Sequence, residues 1–438
     1  MGHANGKDIF RKLGEKIDNL SIRAPWNETF YGLLKELYSA EEADVVIKMP
    51  YGLSNLDRVS KITGYEKPKL QKIMKTLCAK GLVMDLWLKD EYHYMPSPLV
   101  IGIFEFTMMR TGENLNSKEW ARLFHAYMDS DDSVWAANFK GDEKVSVIRA
   151  LPHEETISPT EFTEILDYEK ATSLVGEFDK FSIGLCSCRH EKLHLDKKEC
   201  DVALDTCSSF GMAADYLIRN GLAKEVSKTE MLENIARSKE IGLVLTADNV
   251  KKNIIYICHC CKCCCNALLG ISKHGYAHVV VTSSFIAEVA ESECLGCGKC
   301  SKACPIKAIE MVPITENPGS KKKANPKVDK SICLGCGVCG LKCSAKAIRL
   351  AQRKERVIHP ETTFERVILQ CLERGTLQNQ IFDNPQSITQ KAMRGVLGGF
   401  LRLSPVKKSL MSDILRSSFL SAMKIGTRMQ GKGWLTEI

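Results

Sequence analysis

Eight of the chain's 20 cysteines fall into two copies of one spacing. The first copy is Cys294, Cys297, Cys300 and Cys304, followed by Pro305; the second is Cys333, Cys336, Cys339 and Cys343, followed by Ser344. Each reads C-x2-C-x2-C-x3-C. Two-residue gaps let a tight loop aim three sulfurs at one point, as an iron–sulfur cubane requires. The fourth cysteine is expected to start a helix and point away, so that it serves the neighbouring cluster. Cys294, Cys297, Cys300 and Cys343 then hold one [4Fe-4S] cluster, and Cys333, Cys336, Cys339 and Cys304 hold the second. Gly296, Gly298, Gly335 and Gly337 suit a tight backbone near sulfide, where side chains would crowd. The alternative metal is zinc, but its sites pair C-x2-C units across a longer spacer.

Residues 290–350 thus resemble bacterial ferredoxins with two [4Fe-4S] clusters. The resemblance implies a compact module used in electron transfer. Two departures stand out. Ser344 takes the place of a proline, which should only relax a turn. The stretch between the runs is longer and contains the loop NPGSKKKANP at 317–326, read either as a docking surface or as solvated lysines.

The remaining cysteines are also grouped. Cys186, Cys188, Cys200 and Cys207 form one set, enough for one cubane or one zinc. C-x-C on extended backbone would put both sulfurs on one face, and Cys207 is expected at the start of a helix. Arg189 follows directly and can donate to a cluster sulfide, tuning its potential; a plain salt bridge is the alternative. His190 and His194 are possible zinc ligands. Further on, Cys258, Cys260, Cys261, Cys263, Cys264 and Cys265 put six thiols in eight residues. So many neighbouring thiols are ligands, because as packing they would oxidise or cross-link. Ten thiols suffice for two cubanes, or for one cubane and an unusual, chemically active cluster. A zinc or copper thiolate patch competes.

Residues 40–350 resemble iron–sulfur proteins of anaerobic bacteria and archaea. These combine a winged helix with C-x-C-R…C…C and C-x-C-C-x-C-C-C segments and a ferredoxin module. His259 stands where similar sequences carry Asn. The resemblance implies an electron carrier more than a particular reaction.

The rest of the 438 residues has room for several domains, and 44% apolar composition supplies cores. The spacing predicts an α+β, multidomain chain: a helical arm over 1–35, a winged helix with helical connector over 36–135, a central α/β cysteine-rich domain over 136–290, the 2[4Fe-4S] module over 291–352, and amphipathic helices over 353–438. In the second region Leu56, Val59 and Ile62 mark one helix, and Leu70, Ile73, Met74 and Leu77 a second. Lys67, Lys69, Lys72, Lys75 and Lys80 lie on or beside the second helix, but only Gln71 is suited to reading bases. Protein recognition is therefore favoured over nucleic acid. PSPLVIGIFEFTMMR is read as helical in its apolar spacing, with turns at Pro96 and Pro98, and ISPTEFTEILDYEKA as a helix started by Ser158, Pro159 and Glu161.

The net charge of +8 does not by itself imply nucleic acid. The first residues hold no apolar signal region, and no stretch nears the roughly 20 apolar residues of a membrane span. A cytoplasmic location follows, with peripheral membrane contact through the basic C-terminal helices as an option. Neither a G-x-G-x-x-G after a strand nor a P-loop is present. A flavin or substrate site then belongs to a partner subunit. The chain is read as an electron-transfer subunit of a larger oxidoreductase complex of an anaerobe. Two alternatives are a redox-sensing winged-helix regulator and a reductase with a catalytic cluster at Cys258–Cys265.

Overall fold

The computed structural model describes the chain apart from residues 1, 142–144, 159–164, 315–321 and 356, with side chains from residue 9 onward. The helix start at Pro159 and Glu161 and the first half of the 317–326 loop lie outside the described residues.

Helices Gly2–Asp18, Glu28–Leu37 and Ala40–Lys48 open the chain. Asn27 caps the second, and Ser39 with Glu42 forms a capping box on the third; each such cap contributes about 1 kcal/mol. Their apolar faces bury Leu13, Ile17, Phe30, Leu33 and Leu34 together with Tyr127 and Phe124. Strand β1 (Ser54–Asn55) leads into helices Leu56–Thr63 and Lys67–Ala79, separated by Gly64 at φ +76°. Leu70, Met74, Leu77 and Cys78 face inward. Strands β2 (Val83–Leu88) and β3 (Glu91–Pro96) form a hairpin, and β1 pairs with β3. The hairpin turns on Lys89 and Asp90, both at positive φ, which matches the twist of the strands.

In PSPLVIGIFEFTMMR the irregular stretch extends past the turns expected at Pro96 and Pro98. Residues Leu99–Ile103 make an irregular turn in which Val100 and Gly102 leave helical geometry, and the helix starts only at Phe104. Pro96 and Pro98 bias the preceding residues toward extended backbone and remove donors. Phe104, Phe106, Met108 and Met109 are buried.

The central region holds a six-stranded sheet. Its strands are β4 (Ile148–Ala150), β5 (Phe181–Leu185), β6 (Asp205–Phe210), β7 (Ala223–Val226), β8 (Val244–Asp248) and β9 (Tyr256–Cys260). The order is β4-β8-β9-β6-β5-β7, and every pairing is antiparallel. The α/β reading of this region is therefore corrected to a helix-covered antiparallel sheet, because its crossovers return each strand reversed. One face packs Phe181, Phe210, Leu245, Ala247 and Ile257 against Met231 and Ile235 of helix Lys228–Ile241. The other face carries thiols.

Two antiparallel pairs complete the dicluster region: β10 (Phe285–Val289) with β13 (Ile348–Gln352), and β11 (Ile309–Pro313) with β12 (Ala324–Val328). Helices Thr363–Glu373, Leu377–Ile381, Ile388–Leu401, Ser404–Met411 and Arg416–Met429 follow. Ile388, Val396 and Met429 on them, and Ile414 in the turn before the last, are exposed. No helix among the described residues is long and apolar enough to cross a membrane.

The chain's ends are tied together. Buried Asp383 accepts from Arg58 at 2.6 Å and from Lys432 at 3.0 Å, and Trp434 lies on His93 with ring centroids 4.7 Å apart. Burial alone would raise the Asp383 pKa, but Arg58 and Lys432 hold it below the usual carboxylate range. Its stabilisation is then present above the ordinary carboxylate pKa and lost as pH falls through the lowered value. Asp383→Asn should cost about 1–3 kcal/mol at neutral pH by leaving two cations short of a partner. In thermal melts the gap to wild type should shrink below about pH 4.

Candidate metal centre

Both four-cysteine runs wrap cavities. Cys294, Cys297, Cys300 and Cys343 line a space of about 390 Å³. Cys304, Cys333, Cys336 and Cys339 line one of about 340 Å³. Each cavity takes three sulfurs from one run and the fourth from the other. Four thiolates around each cavity fit a [4Fe-4S] cluster. The local chain explains the crossing. Gly296 and Gly335, both at φ +66°, turn the backbone sharply after the first cysteine of each run. A Cβ at Gly335 would sit 2.1 Å from the Phe285 carbonyl. Short helices Lys299–Ala303 and Val338–Leu341 then carry the chain across. The fourth cysteines follow these helices; they do not start them, which corrects the expected mechanism of the crossing.

The two cavities differ in setting. Cys333, Cys336 and Cys339 are buried, whereas Cys297 is exposed and its neighbour Leu295 is 68% exposed. Backbone N–H groups of Gly296 and Ala308 donate to the sulfurs of Cys294 and Cys304 at 3.4 and 3.2 Å. Burial pushes the Cys336 thiol up to about 12 and Cys339 well above its ordinary value. Such thiols ionise only against a bound metal, so loading releases protons.

The central cysteines do not divide by sequence. Strand alternation places Cys258 and Cys260 on one face of β9 and His259 on the other. Cys258 stands opposite Thr246 and Cys260 opposite Val244 on β8. The Thr246 hydroxyl lies 3.5 Å from the Cys260 sulfur. Electrostatic coupling between neighbouring sulfurs runs from Cys186 to Cys188, on to Cys265, Cys260, Cys258 and Cys207. Cys200 leaves its expected companions and joins Cys261, Cys263 and Cys264, all four sulfurs lying within 4.8 Å of one another. The ten thiols thus separate into six and four. The physical reason is topological: β6 and β9 pair, which brings Cys207 to Cys258, while Cys200 sits on the loop before β6.

Local structure differs from expectation at both ends of the first set. Cys186 keeps extended backbone at the N-cap position of helix Ser187–His194, but Cys188 lies inside the helix, so the C-x-C pair straddles a helix start and is not a strand. Cys207 is mid-strand, and the helix with Ala214 begins at Gly211. The charged stretch after Arg189 begins as helix because His190 bonds the Met108 carbonyl at 2.6 Å and His194 at 2.9 Å. Neither histidine joins a thiol group.

Arg189 is buried between the two groups. It donates to Ala203 O, Thr206 Oγ1 and His259 O, and its charge lies against Cys186, Cys261 and Cys260. Burial would lower its pKa, but these thiols hold it up. Hydrogen bonding from Cys264, with help from Arg189, brings Cys261 down to about 4; bonds from Cys258 and Cys265 bring Cys260 down to about 5. His259 is kept neutral, its pKa lowered to about 3 by burial and by Arg189. It bonds Ser208 at 2.8 Å and Ser238 at 2.7 Å.

Two residues were not singled out from sequence. Thr246 becomes visible only once β8 is registered against β9. His153 donates its backbone N–H to the Cys336 carbonyl at 3.0 Å, and its Nε2 meets the Leu243 carbonyl at 2.8 Å. Leu243 packs against Cys261 and Cys264. His153 thus bridges the buried dicluster site and the central thiols, a link no local motif announces.

Residues 293–357 match the family model of a 4Fe-4S dicluster domain. No curated protein and no solved structure matches the chain. The match, the crossed cavities and the cysteine content identify an iron–sulfur electron-transfer protein.

The crossing makes a specific prediction for paired substitutions. Cys297→Ala with Cys343→Ala should remove one cubane's worth of iron and sulfide, no more than either alone. Cys297→Ala with Cys304→Ala should remove two. Iron and acid-labile sulfide counts on anaerobically purified full chain decide it; equal losses from both pairs would reject the crossed assignment.

Proposed function

We propose that this chain is the electron-relaying subunit of a larger oxidoreductase complex. The observation that carries the reading is the unequal setting of the two cavities. Three ligands of one, Cys333, Cys336 and Cys339, are buried on the side of His153 and the central thiols, whereas the other has Cys297 exposed beside exposed Leu295. Bound there, [4Fe-4S] clusters supply one-electron transfer. The chain's own contribution is ligation, burial and N–H donation to sulfur, which set the potentials. Exposed Lys299, on the wall of the outer cavity, suits a partner with an acidic docking face. The flavin or substrate site belongs to that complex. Surface-exposed cysteine ligation fits an anaerobic host.

The winged-helix reading of the N-terminal region draws support from its helix–helix–hairpin order. Its use as a protein module is favoured over DNA binding. Lys67, Lys69 and Lys80 pair with Asp57, Glu41 and Glu42, which offsets the charge a phosphate backbone needs. The hairpin is already engaged, since Asp85 holds Arg219 at 2.7 Å and Asn220 at 2.9 Å.

A second reading, a reductase acting at the central site, has one observation in its favour: six thiols meet where a cubane takes four.

Redox titration of the anaerobic full chain, followed by EPR, should show at least two [4Fe-4S] centres reduced one electron at a time. DNA binding should be undetectable even at low salt. A chain without acid-labile sulfide defeats both the relay and the reductase. Salt-sensitive DNA binding would restore the regulator reading.

A further inference from the structure

We propose that Cys200, Cys261, Cys263 and Cys264 hold a single zinc ion in a closed tetrahedral site, separate from the iron–sulfur chemistry of the remaining cysteines. The argument is one of size. The sulfur of Cys261 lies 3.7 Å from that of Cys200 and 3.8 Å from that of Cys263, and Cys263 lies 3.4 Å from Cys264. Four thiolates about 2.3 Å from one central ion stand about 3.8 Å apart at the corners of a tetrahedron. The four sulfurs therefore enclose room for one ion. A cubane needs each thiolate on a different iron corner, with the whole core between them. The dicluster cysteines show that arrangement, standing on opposite walls of a cavity in each half of the module.

The surroundings are those of a structural metal. Cys261 and Cys264 are buried, and Val202 and Leu243 pack around the group. All four donors are protein thiols, which leaves no open position for substrate. A zinc tetrathiolate carries two surplus negative charges, and the Arg189 guanidinium lies against Cys261 to offset them. The ion would pin the loop after β9 to the loop before β6, two segments that share no strand pairing at this point. It would thereby hold Cys260 and Cys265, on either side of the zinc ligands, in place for the six-thiol group.

Metal analysis and zinc-edge X-ray absorption on anaerobically purified full chain test this. About one zinc per chain is expected, with four sulfur neighbours at about 2.3 Å and no iron scatterer. Cys200→Ser should lose the zinc or convert its shell to three sulfurs and one lighter atom, with iron and sulfide counts unchanged. The proposal is overturned if wild type lacks zinc, or if its zinc carries nitrogen or oxygen ligands. It is also overturned if Cys200→Ser leaves the zinc spectrum unaltered or loses iron. Should that variant not fold, the wild-type spectrum decides alone.

Discussion

The central site depends on the antiparallel pairing of β9 between β6 and β8. That pairing sorts side chains by parity. Cys258 and Cys260 go to one face beside Cys207 and Thr246; Ile257 and His259 go to the other, under helix Lys228–Ile241. A shift of one residue would bury thiols against Met231 and Ile235 and push His259 among the sulfurs. The register is guarded from the helix side. Ser208, Ser238 and Asn234 together satisfy the His259 ring, so a slip would strand a buried imidazole without partners.

Charge is managed by the same geometry. Thiols crowded in a protein interior resist ionisation, and each neighbour makes the next harder to ionise. Arg189 answers this from a buried position between the six-thiol and four-thiol groups, braced by the carbonyls of Ala203 and His259. Its role is therefore shared between two sites, where the sequence assigned it to one. Among the described residues, the dicluster region shows no such arginine between its cavities. There the backbone supplies N–H groups to Cys294 and Cys304, and Arg353 donates to the Cys333 carbonyl at 2.6 Å.

The periphery serves position more than chemistry. The N-terminal hairpin is clasped to helix Gly211–Arg219 through Asp85, and the C-terminal segment returns to the N-terminal helices through Asp383. These contacts join residues separated by 134 and 325 positions. They tie the regions flanking the dicluster module to the rest of the chain.

The dicluster spacing was legible from cysteine positions alone, because C-x2-C-x2-C fixes sulfurs within one loop and the chain closes that loop locally. Helices such as Lys67–Ala79 and Thr363–Glu373 were legible for the same reason: their apolar spacing is a local signal. The break at Leu99–Ile103 was not, since periodicity outlasts a proline-driven departure from helix. The partition of the central cysteines was also hidden. Cys186, Cys188, Cys200 and Cys207 are neighbours in sequence, but which sulfurs meet is decided by strand order β8-β9-β6. The sequence by itself set the expectation that these thiols bind metal, because so many neighbouring free thiols would otherwise oxidise or cross-link. Only the tertiary structure decided which of their sulfurs lie together, because strand pairing sets those distances, across 61 residues in the case of Cys200 and Cys261.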